Sequence, residues 1–336
     1  MKISIITVCK NAENEIERTI QSVLSQTYNN IEYIIVDGAS TDGTVRSIKD
    51  ACKRDLTLNP SPKREGLNLP PFPLGKGLGE RSDPIPTLAP KGEGLEITPL
   101  SFRKGVGGKV TTPRAKNFSP LTQLHNYTIT PNFSIKFITE SDKGIYNAMN
   151  KGTSLATGDF LLFLNAGDYL ISNDTISQVA EIIAKDDAKS DIYFGNIVSE
   201  SPLSKKRKEF PNRLKCVNKF KFFFWSIPHP AAFIKRELLE KCGYDESFKI
   251  AGDYDFFVKS FLQSKATFFH IPLKVAVFVT DGVSSDPQNK KLIKEENLMV
   301  IKKYFGSFPA IIYNLTVLFV VLRFFCKIWL KFEKKC

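Results

Sequence analysis

The chain has 336 residues, with 47 Lys and Arg against 35 Asp and Glu, a formal net charge of +12 and 42% apolar residues. That length and composition allow a large buried core and exclude a chain disordered throughout. Six Cys without a C-x-x-C pair, and only three His, argue against a zinc ribbon, a disulfide scaffold or a His-built metal centre, so any metal must be held by carboxylates.

The chain opens on Ile3-Ser4-Ile5-Ile6-Thr7-Val8, apolar and β-branched between polar flanks, which predicts a buried strand and gives no sign of a secretory signal. Residues 12–26 place Ile16, Ile20, Val23 and Leu24 on one face of a helix. Residues 32–37 form a second buried strand ending in Asp37. A turn at Ser40-Thr41-Asp42-Gly43 leads into a second helix over 43–50. This β-α-β-α alternation predicts a parallel sheet covered by helices. The pattern then breaks. Residues 53–131 hold more than half of the 19 prolines, and Pro62-Lys63-Arg64-Glu65-Gly66-Leu67 returns 28 positions later as Pro90-Lys91-Gly92-Glu93-Gly94-Leu95. Two copies without an apolar period cannot offset their ordering entropy, so the segment reads as a disordered low-complexity insertion, with a partner-binding arm as the alternative. It lies between a helix and the next strand, Ser134–Ile138, the end of such a sheet opposite to its ligands, so the fold can tolerate it. Order resumes with a helix over 144–156, with Ile145, Ala148, Met149 and Leu155 inward. A nearly wholly apolar strand, 160–164, runs into Asn165-Ala166-Gly167-Asp168. A helix over 174–184 and a strand over 192–195 follow.

Four side chains stand out chemically. Asp37 and Asp168 each follow a buried strand at the end where a parallel sheet presents ligands. Asp37 suits a ribose or base, and Asp168 a divalent cation, unless both are turn residues. Asp253 sits with Asp255 at the start of an amphipathic helix, as a general base or as a residue favoured there by the helix dipole. His229, between Pro228 and Pro230, is rigidly held and suits an acceptor, a diphosphate or plain loop packing. No G-x-G-x-x-G or P-loop is present.

Taken in order, several segments make the resemblance specific. They are Ile6-Thr7-Val8-Cys9-Lys10-Asn11, Ile35-Val36-Asp37-Gly38 through Gly43-Thr44, Ser141-Asp142-Lys143-Gly144-Ile145-Tyr146-Asn147-Ala148-Met149-Asn150, Leu164-Asn165-Ala166-Gly167-Asp168, His229-Pro230-Ala231, and Ala251-Gly252-Asp253-Tyr254-Asp255. Over about 1–50 and 134–262 the chain resembles family 2 glycosyltransferases of the GT-A fold, in the branch that builds bacterial polysaccharides and lipid-linked glycans. The resemblance implies an α/β, Rossmann-like, mostly parallel sheet with helices on both faces. It divides the chain into a discontinuous catalytic domain (1–52 and 132–285), the 53–131 insertion and a basic, apolar C-terminal segment (286–336). It also implies roles. Thr7, Asp37 and Asp142 bind the nucleotide, Asp168 holds Mg²⁺ or Mn²⁺ with the donor diphosphate, and Asp253 is the catalytic base. His229 and Asp255 touch acceptor or diphosphate.

Three positions depart from the family pattern: only one acid remains in Asn165–Asp168, Gly38 stands where a second acid is common, and Gly252 stands where Glu is usual. The implied reaction is one direct, inverting displacement from a nucleoside-diphosphate sugar, UDP-linked by expectation, to a hydroxyl of a glycan or lipid-linked acceptor. No covalent nucleophile is called for. The alternative is a catalytically inactive relative serving as a membrane-bound assembly partner.

Charge is concentrated at 200–221 and from 289 on. Residues 308–322 are uncharged and largely apolar, but about 20 residues are needed to cross a bilayer, and Arg323 and Lys327 interrupt the extension. A membrane-associated helix or shallow anchor on the cytoplasmic side, at the inner face of the cell membrane, is expected, with flanking Lys drawn to anionic lipid; the alternatives are a true span and a soluble packing helix. Nucleic-acid binding is not expected, since charge alone without a recognised module is unspecific.

Overall fold

The computed structural model describes residues 1–58, 123–202, 204, 206–210, 217–280, 282 and 284–307. The 62–67 and 90–95 repeats and the apolar stretch 308–322 lie outside these residues.

The framework is set by β1 (Ile3–Cys9), β2 (Ile31–Asp37), β4 (Phe133–Thr139) and β5 (Phe160–Phe163). They pair in parallel in the order β4-β2-β1-β5. β1 and β2 are buried along their whole length. Period-2 alternation then divides their side chains between two cores. Ile6, Val8, Ile34 and Val36 face one. Ile3, Ile5, Tyr33 and Ile35 face the other. On this second face lies α1 (Ile16–Leu24), which buries Ile16, Thr19, Ile20, Val23 and Leu24 at helical spacing. With it are α2 (Thr44–Leu58) and α4 (Thr175–Lys185). The first face carries α3 (Ile145–Leu155), α6 (Arg236–Cys242) and α7 (Gly252–Leu262).

Beyond β5 the sheet becomes mixed. β9 (Ala232–Lys235) runs antiparallel to both β5 and β7 (Ile192–Glu200), and β7 pairs in parallel with β10 (Phe268–Val279). The two-residue β6 (Tyr169–Leu170) closes one edge on β10, and β8 (Arg207–Phe210) pairs with the end of β7.

The structure differs from the sequence-based expectations in three places. The 53–131 insertion is shorter at both ends. α2 continues to Leu58, and β3 (Gln123–Thr130) forms an antiparallel hairpin with β4. Tyr127 and Ile129 pack on the core, and Pro131-Asn132, which look like loop composition, make the hairpin turn. Ile145 is 39% exposed rather than inward, because it begins α3 at the mouth of a cleft. Part of the C-terminal segment also belongs to the globular fold. α8 (Lys290–Phe305) buries Val300 and Ile301 completely against the α7 side of the sheet. Among the described residues no helix is long and apolar enough to cross a membrane.

Candidate active site

The carboxyl ends of β1 and β5 open onto a cleft of about 1050 Å³, whose walls include Lys10, Asp142, Asn165, Asp168, His229 and Asp253. Residues 85 apart in the chain, Asp168 and Asp253, thus face one space. Its position at the strand ends follows from the parallel half of the sheet.

Asp168 is held by contacts that no local motif announces. Gly167 adopts φ 99°, a left-handed backbone that a side chain would strain, so this position of Asn165-Ala166-Gly167-Asp168 carries none. Thr19, buried inside α1, accepts from Gly167 N–H (3.0 Å) and donates to the Asp168 carbonyl (2.8 Å). The Asp168 Oδ1 accepts from Val279 N–H at 3.0 Å, which fixes the carboxylate at the cleft wall. A second oxygen, Asn165 Oδ1, is buried without a hydrogen-bond partner. These are hard oxygen donors of the kind Mg²⁺ and Mn²⁺ prefer, but no group of three or more His, Cys, Asp or Glu able to hold an ion occurs among the described residues. The residues therefore fit a cation that takes most of its ligands from a bound diphosphate and water.

Asp253 stands in the first turn of α7. Its Oδ2 lies 2.9 Å from His229 Nδ1, and its Oδ1 is buried with no partner. His229 Nε2 is 3.1 Å from Asn165 Nδ2. The three side chains form one chain of contacts from the Asp168 loop to the α7 N-terminus. Burial pushes the His229 pKa down, but the Asp253 charge and hydrogen bond, with a smaller pull from Asp168, leave it raised above the ordinary value.

Two features position Asp253. A Cβ at Gly252 would meet three Tyr146 ring atoms at 2.6–2.8 Å, so the aromatic ring fills the space where the family pattern has a Glu. The Tyr146 hydroxyl donates to the Ile250 carbonyl (2.5 Å) and accepts from Asp253 N–H (3.4 Å). Glu296 of α8, 5% exposed, accepts three backbone N–H groups in the loop just before α7: Lys249 (2.8 Å), Ile250 (2.9 Å) and Ala251 (2.8 Å).

Asp142 lies in the cleft wall, and its Oδ1 accepts from Gly144 N–H. Its Oδ2 would be 2.2 Å from a Cβ at Gly38, so this carboxylate occupies the space that a longer residue at 38 would need.

Three expected site residues do not reach the cleft with their side chains. Thr7 is fully buried. Its hydroxyl donates to the Leu164 carbonyl (2.7 Å) and lies 3.0 Å from the Tyr33 hydroxyl. Asp37, also fully buried, accepts from Ser40 N–H and Thr139 Oγ1 and so fastens the loop after β2, where Ala39 sits at φ 57°. Asp255 is the second acid of α7 but points to the other side of the helix. It is 0% exposed and binds Lys303 Nζ (2.9 Å) and Tyr304 OH (3.1 Å) of α8. A helix separates residues two apart by about 200°, so Asp253 and Asp255 cannot serve one site. Sequence reading missed Thr19, Asn165 and Glu296. Only Asn165 lay in a motif, and nothing local marks the other two.

A family model described as glycosyl transferase family 2 matches residues 4–68 and 120–243. A PGL/p-HBAD biosynthesis glycosyltransferase of Mycobacterium bovis (strain BCG / Pasteur 1173P2) is 31% identical over 169 residues, 49% of this chain and 63% of that protein. The putative glycosyltransferase EpsE of Bacillus subtilis (strain 168) is 48% identical over 48 residues, 14% of this chain and 17% of that protein. The chain thus spans under two thirds of the length of these relatives. Among solved structures, S. aureus TarS 1-349 in complex with UDP-GlcNAc superposes with a TM-score of 0.51 at 16% identity, covering 90% of this chain and 67% of that one. At that identity the likeness establishes the fold.

Proposed function

We propose that this chain, which belongs to glycosyl transferase family 2, moves a sugar from a nucleoside-diphosphate donor to a hydroxyl of a glycan or lipid-linked acceptor, with inversion at the anomeric carbon. The observation that carries this reading is the meeting of Asp168 and Asp253 across one cleft, with His229 and Asn165 between them. UDP is the favoured nucleotide, in keeping with the UDP-GlcNAc complex of TarS.

Each residue has a task. Asp142 flanks the nucleotide. Lys10, Lys143 and Lys249 at the cleft wall offer positive charge to the diphosphate. Mg²⁺ or Mn²⁺, when bound, neutralises charge on the departing diphosphate, and Asp168 with Asn165 Oδ1 would hold it. His229 fixes one oxygen of Asp253. The other, Oδ1, accepts the proton of the acceptor hydroxyl as that oxygen attacks the anomeric carbon from the face opposite the diphosphate. The carbon–oxygen bond to the diphosphate breaks as the new glycosidic bond forms, and a single displacement inverts the centre.

The test is a screen of UDP- and GDP-sugars with Mg²⁺ or Mn²⁺, read as released nucleoside diphosphate, with NMR of the product anomer. Transfer by the wild type should fall by a factor of about 10²–10⁴ in Asp253→Asn. Undiminished turnover in that variant, or a product that keeps the donor's anomeric configuration, would refute the proposal.

A further inference from the structure

A surface outside the cleft remains unexplained. α5 (Lys219–Phe224) is short and amphipathic: Phe222 and Phe223 are buried, while Lys219 is exposed and Lys221 half-buried. Trp225, which ends the helix, is 37% exposed, unusual for so large an apolar ring. The last residue of α8 meets this helix. Phe305 packs on Phe223 with ring centroids 5.6 Å apart, and Lys219 Nζ lies 5.8 Å from the Phe305 ring. α8 therefore ends where Lys219 and Trp225 face solvent.

We propose that α5, Trp225 and the end of α8 form a docking face for an anionic lipid surface. Two observations select that occupant. The first is charge. Lys219 and Lys221 stand on α5 itself, and the sequence leading into it, residues 204–221, holds eight Lys and Arg against one Glu, which suits negatively charged headgroups and disfavours a basic or neutral partner. The second is where the chain goes. Residues 308–336, which follow directly from this face, begin with fifteen uncharged residues and end with five Lys and Arg against one Glu, a composition suited to an interface rather than to bulk water. Tryptophan is favoured where apolar and polar phases meet.

Only four positions separate Trp225 from His229. Docking on this face sets the cleft beside the lipid, which deepens the proposed transfer by restricting the acceptor to one carried on a membrane lipid. That restriction rests on the transferase reading; the docking itself does not.

The experiment uses the full chain and no sugar donor, so failed docking and failed transfer are told apart. Trp329→Phe leaves Trp225 as the sole tryptophan of the two in the chain. In this background the emission of Trp225 is followed as vesicles are added. One set is phosphatidylcholine alone, the other phosphatidylcholine mixed with phosphatidylglycerol, and co-sedimentation is measured in parallel. A blue shift with the mixed vesicles alone is expected. Lys219→Gln with Lys221→Gln should weaken partitioning about 30-fold, from roughly a fivefold factor per lysine at an anionic surface. Thermal unfolding of both proteins checks that the variant is folded. Trp225→Ser in the wild-type background should lower co-sedimentation in the same direction. Equal partitioning of wild type and both variants would overturn the proposal, because the tail alone would then account for binding. So would a Trp225 already blue-shifted without vesicles, covered by the tail or by a second copy.

Discussion

Glu296→Gln tests whether α8 sets the position of the base. In the wild type, one carboxylate oxygen accepts from Lys249 N–H and the other from Ile250 and Ala251 N–H, all at 2.8–2.9 Å and in a 5% exposed side chain. Gln keeps one oxygen for Ile250 and Ala251 but turns an NH₂ toward Lys249 N–H. One charge-assisted bond is lost and two become neutral, a cost of about 3 kcal/mol when each charged bond is worth about 1.5–3 kcal/mol. For a domain of this size that lowers Tm by about 6–12 °C. The loop so loosened contains Lys249 and Ile250 of the cleft wall and runs directly into Gly252-Asp253. A displacement near 1 Å at the base costs about 10²-fold in rate. The assay is thermal unfolding together with kcat and donor KM, measured well below both melting temperatures. An unchanged Tm would refute the clamp. A lowered Tm with unchanged kcat would refute its role in placing Asp253.

Three further outcomes are expected. Gly252→Ala drives a methyl to 2.6 Å from the Tyr146 ring and should destabilise by about 1–3 kcal/mol, read from urea unfolding; wild-type stability would mean that the ring can move aside. Because the His229 pKa is raised, its contribution to stability is full below the ordinary histidine value and is lost as the pH rises through the folded value. Over the same window Asp253 is freed from a protonated partner, so kcat/KM should climb, and His229→Gln should move that limb to lower pH; a profile identical to wild type would remove His229 from the base. Glu32, 1% exposed at the end of the sheet opposite the cleft, is pushed up by burial but brought down to about 2 by Lys136, Ser4 and Thr157. Its roughly 3 kcal/mol of stability is present above about pH 4.5 and lost as the pH falls toward 2, so the gap between wild type and Glu32→Gln in denaturant midpoint should close on acidification.

The parts of the fold legible from sequence are those whose cause is local. β1, β2 and β5 are apolar runs wherever they are placed, and the position of Asp168 just after β5 follows from the chain alone. Asp253 could be read from its helix start. Asp255, two residues on, looked equivalent, because a one-dimensional pattern does not say which side of α7 meets the cleft and which meets Lys303 of α8. The β3–β4 hairpin was hidden by turn residues that resemble the adjoining Pro-rich composition, and α8 was hidden by its charge.

Sequence by itself determined the family, the strands β1, β2 and β5, and the places of Asp168 after a strand and Asp253 at a helix start, because apolar periodicity and ordered motifs act over a few residues. Tertiary structure decided which of those acids share a cleft, that Tyr146 and Asp142 fill the space beside Gly252 and Gly38, and that Thr19 and Glu296 hold the two loops in place. Those outcomes depend on contacts between residues tens to hundreds of positions apart. Only the assembled sheet and its covering helices bring such residues within hydrogen-bonding distance.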